Sequence, residues 1–470
     1  MSINRRDFLR RAASVSAAAA IAPAVADAHL AAEAQTATPL PSPGASGIDH
    51  IVIVMMENRS FDHLLGWLPG SNGRQAGLVY QDSQGIGHPT QRLTDFVGCA
   101  HPDPDHSYTG GRSEVNGGKM DGWLRTTTND NFCIGYYTED QLPFLSGFAR
   151  NFTTLDNYFA SILGPTFPNR IFSYAGQTDR LSNTVDLSDL PTIFDSLQHA
   201  GVSCKYYFSN VPFLALWGLK YVDISGIYDE FLLDAFFGNL PSVSFLDPKY
   251  TILDDGEGND DHPHADIRAG EAFLSQVYHA LSRSPVWKNT VLVVNRDEWG
   301  GFYDTVPPPR AAAPNQVDTD LVNGKALLGC RVPVVVASPF SSGTPAKPRI
   351  NSLVYDHTSV LKLIEWRFGL APLTRRDASN DVANLAYALD FQNPNFHPPS
   401  LPEPSAPAPT PCGLESILPL TAEAAPLTST QRELAGKDNE SYDFYDLLVS
   451  ERTNGWPIPS TVKPFTRPKS

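Results

Sequence analysis

Basic side chains are in short supply. The 470 residues hold 35 Lys and Arg against 51 Asp and Glu, a formal charge of −16. That argues against a nucleic-acid partner, whose phosphates demand clustered cations. Cysteine is scarce too: five residues, at 99, 133, 204, 330 and 412, with no CxxC and no close pair. A thiolate metal site and a dense disulfide framework are both disfavoured. One or two bridges remain compatible, and the odd count leaves at least one thiol free or intermolecular. Beyond the N-terminal leader no run of about twenty apolar residues occurs, so no transmembrane segment is expected in the mature chain. Internal repeats are absent as well. What is present is 41% hydrophobic residues, ample for one large or two modest domains.

The first 35 residues differ in kind from the rest. "NRRDFLRR" (4–11) precedes the mild, Ala-rich "AASVSAAAAIAPAVADA" (12–28), which is too short to span a bilayer permanently. Arg5-Arg6 followed by Phe8-Leu9 resembles a twin-arginine export signal. The expectation is a signal peptide over 1–35, the export machinery as a partner, and a periplasmic, cell-envelope or secreted destination. Such export carries folded proteins, often with a metal already loaded, and so hints at a metal site. Residues 36–47 read as a linker and 48–395 as the catalytic domain. In 396–470, "PPSLPEPSAPAPTP" (398–411) carries seven Pro in fourteen and must be an extended connector. The tail beyond offers one short helix near 442–455.

Within the globular part, the runs 51–56, 291–295 and 332–337 are apolar without alternation, the pattern of buried parallel strands. Helical patterns over 191–200, 267–282 and 358–368 sit among them. Alternating strands and helices predict an α/β sandwich with a mostly parallel sheet. Ligands in such sheets bind beyond the strands' C-terminal ends.

Two runs end alike: the first in Glu57-Asn58, the second in Asp297-Glu298 before two glycines. Carboxylates meeting at one rim repel unless a cation lies among them, and oxygen ligands suit Mg²⁺, Ca²⁺ or Mn²⁺. In "ILGPTFPNRIFSYAG" (162–176), Gly164-Pro165 forces a turn and Pro168 can open a helix over 168–176. Thr166 there either caps the helix or faces an anion at its mouth, and local pattern alone favours the cap. Three loop clusters of histidine, at 101 and 106, at 262 and 264, and at 357, supply groups able to transfer protons near neutral pH.

Taken together, "IVIVMMENRSFDHLLG", "NGGKMDGW", "ILGPTFPNR", "DDHPHADIRAGEAF", "RDEWGGFYDTVPPP", "RVPVVVASPF" and "DHTSVLKLIEWRFGL" resemble, in order, the bacterial phosphoesterase family. That family includes non-haemolytic phospholipases C and acid phosphatases of the A type. The resemblance covers about 48–370. It implies an alkaline-phosphatase-like three-layer α/β/α sandwich and metal-assisted hydrolysis of phosphate esters. By motif it implies one divalent metal ion on Glu57, Asn58, Asp297 and Glu298. It implies Thr166 as the nucleophile, in place of a mere cap, and phosphate contacts from Asn58, His106 and His262. His357 is placed behind the ligands. A phosphothreonine would form and either His106 or His262 would protonate the departing alcohol.

The chain departs from the family's pattern at Trp299 and Thr305, where histidines are usual, and Arg296 before the acidic pair is unusual. Three functions follow as expectations. The first is a phospholipase C-like diesterase, with phospholipid among its substrates. The second is a broad phosphomonoesterase of the acid phosphatase type. The third is a degenerate site kept for binding phosphate.

Overall fold

A computed structural model describes residues 39–126, 128–412 and 440–462. The leader at 1–35 lies outside the described residues, as does the tail over 413–439 and 463–470.

Eight strands form one sheet: β1 (His50–Met56), β2 (Thr153–Leu155), β3 (Cys204–Phe208), β4 (Ser225–Ile227), β5 (Val243–Leu246), β6 (Thr290–Arg296), β7 (Val334–Ala337) and β8 (Arg349–Asn351). Their spatial order is β8-β2-β7-β6-β1-β5-β3-β4. Every strand runs the same way except β7, which lies antiparallel between β6 and β2. This corrects the expectation of a parallel strand over 332–337. An unbroken apolar run reports burial on both faces and carries no information about direction. Pro333 also lacks the N–H a ladder needs, which fits a strand that begins one residue later.

The principal helices are α1 (Phe61–Leu65), α2 (Tyr108–Val115), α3 (Pro143–Asn151), α4 (Thr166–Ala175), α5 (Ile193–His199), α6 (Tyr228–Phe237), α7 (Ile267–Ser282), α8 (His357–Phe368) and α9 (Glu440–Val449). Side chains alternate across a strand. Val52, Val54, Leu292 and Val294 therefore meet Phe144 and Phe148 of α3, Phe231 of α6 and Leu274 and Val277 of α7 on one face. On the other face Tyr174 of α4 and Phe194 of α5 each pack 5.2 Å from Phe245 of β5. Helix α4 also contacts α8. The result is a three-layer α/β/α sandwich. The predicted 267–282 helix matches α7, and Asp266 caps it by accepting the Arg268 N–H.

Register decides what happens at the rim. Met56 lies opposite Arg296 in the parallel β1–β6 pair. The next residues, Glu57 and Asp297, thus leave the sheet side by side. On β5, Leu246 lies opposite Val54, so Asp247 emerges on the other flank of β1.

The Pro-rich connector has no regular structure over 401–411 and lies along α7. Ser275 donates to the Pro402 carbonyl at 3.1 Å, Tyr278 to the Pro399 carbonyl at 2.7 Å, and Glu403 pairs with Arg283. A disulfide from Cys412 to Cys99 pins its far end. Cys133, Cys204 and Cys330 are free.

Helix α3 begins after Leu142, which offers no side-chain cap. Glu271 of α7 supplies one from outside, accepting the N–H groups of Phe144 at 2.8 Å and Leu145 at 2.9 Å. Glu271→Ala leaves two buried donors unmatched and should cost about 1–3 kcal/mol. A urea titration should show a lower midpoint at unchanged slope; an unmoved midpoint would refute this role.

Candidate active site

Four of the sequence-predicted residues meet directly. The Asn58 N–H donates to Asp297 Oδ1 at 3.1 Å, and Asn58 Nδ2 donates to Glu298 Oε1 at 2.6 Å. Glu57 and Asp297 are bridged by the Nε of Arg170, at 3.2 Å from each. Arg170 Nη1 also donates to Asp247 at 3.0 Å, and Nη2 to the carbonyls of Met55 and Met56. Asn58 has a positive φ of 50°, a conformation Asn tolerates better than most residues. The glycine pair after Glu298 is needed for close approach. A Cβ on Gly300 would sit 2.2 Å from the Asn58 carbonyl oxygen, and one on Gly301 2.6 Å from Pro104.

Thr166 opens α4, with Pro165 at the cap position, so its hydroxyl is not the helix cap. Its Oγ1 is buried and makes no hydrogen bond. Arg170 follows four residues later, about 6 Å along the helix axis. The helix that carries Thr166 is thereby fastened to the strand ends that carry Glu57 and Asp297.

The histidines split by what they present. His106 must donate its Nδ1–H to the Pro104 carbonyl at 2.7 Å, since that oxygen only accepts. Its Nε2, 3.4 Å from Asn58 Nδ2, is then the acceptor. His262 shows the reverse. Its Nδ1 accepts the His264 N–H at 3.2 Å, so Nε2 carries the proton and lies 3.4 Å from Asp103. Burial pushes the Asp103 carboxyl up, but His262, with His106 and His264, draws it well below the usual carboxylate range. The loop before His262 joins the rim through Glu57, whose N–H donates to the Asp260 carbonyl at 2.7 Å.

Neighbouring residues hold the loops. Arg59 donates to the carbonyls of Asp261 at 2.7 Å and His262 at 3.2 Å. Arg296 is buried against Asp261 at 2.7 Å. Trp299 turns away from the rim and donates its indole N–H to the buried Glu114 at 2.8 Å. Thr305 gives both its N–H and its hydroxyl to Asp62. His357 Nε2 donates to the Asp297 carbonyl at 2.7 Å.

The donor set suits a hard divalent cation. Three buried carboxylates, Glu57, Asp247 and Asp297, gather about the guanidinium of Arg170, the buried Glu298 accepts from Asn58 beside them, and their surplus negative charge favours a cation. A second possible metal-binding group comprises Asp254, His262 and His264, whose ligand atoms lie within 4.8 Å of one another. Both ring nitrogens of His264 already face oxygens there, Asp254 at 3.2 Å and the His101 carbonyl at 3.0 Å.

Residues 48–371 match the Phosphoesterase family. The chain belongs to that family. It is 34% identical to the non-specific phospholipase C6 of Arabidopsis thaliana over 71% of each chain. It is 31% identical to phospholipase C A of Mycobacterium tuberculosis over 86% of this chain and 88% of that one. A solved protein of the alkaline phosphatase superfamily from Vibrio parahaemolyticus aligns with TM-score 0.34 and 11% identity, over 72% of this chain and 69% of that one. Membership in the family makes this phosphoesterase a phosphoester-hydrolysing enzyme.

Several residues at this phosphoesterase site escaped the sequence reading. Asp247 ends the apolar run "VSFL" just as Glu57 and Asp297 end theirs, so the same rule would have found it. Arg170 lies one helical turn from Thr166, a spacing that puts both on one face. Asp103 carries no signal beyond its place in "HPDPDH".

Burial pushes the His357 imidazole down to about 4 from its ordinary 6.5, outweighing the bond to the Asp297 carbonyl. Between those values the unfolded chain binds a proton that the folded chain refuses, so stability falls as pH drops through that window. The loss should reach roughly 3 kcal/mol below pH 4. His357→Gln should flatten that part of the stability profile in urea titrations between pH 7 and 4. An unchanged slope would contradict the assignment.

Proposed function

We propose that this enzyme cleaves phosphodiesters by a phospholipase C-like reaction in which Thr166 is the nucleophile. The supporting observation is the position of Thr166 Oγ1: buried, without a hydrogen-bond partner, and one helical turn from the guanidinium that Glu57 and Asp297 grip. A buried hydroxyl left unbonded forgoes favourable energy unless another group is to meet it.

Glu57, Asn58, Asp297 and Glu298 would hold a divalent cation. When bound, it would neutralise phosphoryl oxygens and lower the pKa of the Thr166 hydroxyl. The Thr166 hydroxyl gives its proton to solvent water, and Oγ1 forms a bond to phosphorus as the bond from phosphorus to the ester oxygen breaks. His262, held in the Nε2–H tautomer by the His264 N–H at its Nδ1, gives its Nε2 proton to that oxygen. His106, accepting from Asn58, orients the amide beside the phosphate. Water then cleaves the phosphothreonine and releases a phosphomonoester. The phospholipase C names of the relatives support a lipid diester as substrate.

Thr166→Ala and Asp297→Asn should each lower turnover of bis(p-nitrophenyl) phosphate by about a thousandfold or more. Chelation should do the same, reversed by Mn²⁺, Mg²⁺ or Ca²⁺. Wild-type rates in either variant would remove this mechanism. Hydrolysis of p-nitrophenyl phosphate in preference to phosphatidylcholine would replace the diesterase reading with that of an acid phosphatase.

A further inference from the structure

We propose that helix α9, beyond the 48–371 region that matches the family, is a working part of the reaction centre, with Asp443 and Phe444 as positioning residues for Thr166 and Arg170. The proposal rests on Thr166 as the nucleophile.

The first observation concerns how α4 begins. Its cap position is Pro165, which has no side-chain oxygen to receive the helix's first N–H groups. The cap comes from elsewhere: Asn183 Oδ1 accepts the Phe167 N–H at 2.8 Å. An asparagine amide can serve this way in only one of its two flip states. Asp443 of α9 selects that state. Its carboxylate can only accept, and Asn183 Nδ2 donates to it at 3.2 Å, which turns Oδ1 toward Phe167. The backbone directly after Thr166 is thus set by a residue more than 250 positions later in the chain, as the 260-residue separation of Asn183 and Asp443 shows.

The second observation concerns the guanidinium. Phe444 is buried and stacks on Tyr250, with centroids 3.9 Å apart and planes 15° apart. Its ring also meets Phe167 edge-on at 5.4 Å. Arg170 Cζ lies 4.8 Å from the Tyr250 centroid. Phe444 therefore backs the ring over which Arg170 lies, a cation–π arrangement, while touching the neighbour of Thr166. The two observations are independent, and both lead from α9 to the same turn of α4.

The test uses the full chain. Asp443→Ala and Phe444→Leu should lower kcat for bis(p-nitrophenyl) phosphate about tenfold, with KM within about threefold of wild type, because they disturb alignment more than binding. Asp443→Asn still offers an acceptor oxygen and should return kcat to within about threefold of wild type. Rates are taken well below each variant's melting temperature, with the folded fraction measured by circular dichroism. Asp443 is only half-buried, so its pair of variants carries the test if Phe444→Leu fails to fold. Wild-type kcat in folded Asp443→Ala, or equal losses in Asp443→Ala and Asp443→Asn, would overturn the proposal. The nucleophile reading is checked apart from it: an inactive Thr166→Ala beside an unaffected Asp443→Ala overturns only the role of α9. A fully active Thr166→Ala would overturn both.

Discussion

The guanidinium of Arg170 is fully buried and lies within 3.2 Å of Glu57, Asp247 and Asp297, the carboxylates that follow three neighbouring strands, β1, β5 and β6. Desolvating one cation and three anions is costly, and only close, well-hydrogen-bonded contact offsets it. Removing one partner from such a group typically costs about 3–5 kcal/mol, because it strands the others in a poor solvent. The geometry is therefore stiff. It fixes helix α4 against the rim of the sheet, and Thr166 opens that helix. The position of the Thr166 hydroxyl follows from an ion-pair network one turn away.

Around this centre, side-chain hydrogen bonds and one disulfide tie together loops from distant parts of the chain. Arg59 grips the backbone of residues 261–262, so the loop bearing His262 stays beside β1. Trp299 and Asn129 both donate to the buried Glu114, and Asn129 in turn accepts the Asp105 N–H at 2.6 Å. That chain joins the residue after Glu298 to the residue before His106. The Cys99–Cys412 disulfide adds a covalent tie near the same histidines. The Cys412 N–H donates to the Asp254 carbonyl at 2.9 Å, and Asp254 faces His264.

Much of this was legible in the residues. The non-alternating runs 51–56 and 291–295, and the acids that follow them, pointed to both the sheet and the rim, because burial on two faces and a polar stop are local facts. Helix α7 was readable to the residue from its apolar spacing. Strand β7 was not readable in direction, since burial is the same for either sense. Trp299 and Thr305 departed from the family's motif, and only the fold shows them bound to Glu114 and Asp62. Arg170 was in plain view within "PNR", but its role depends on three strands converging, which no local spacing encodes. The same holds for the Cys99–Cys412 pairing and for Phe444, whose partners lie hundreds of residues away.

The central claim is that a threonine oxygen of the enzyme, and not water, first attacks phosphorus. The stereochemical course at phosphorus tests it most directly, with a substrate made chiral by oxygen isotopes and sulfur. Two in-line displacements, one by Thr166 and one by water, predict net retention of configuration in the released phosphomonoester. Net inversion would mean a single direct attack by water and would contradict the account.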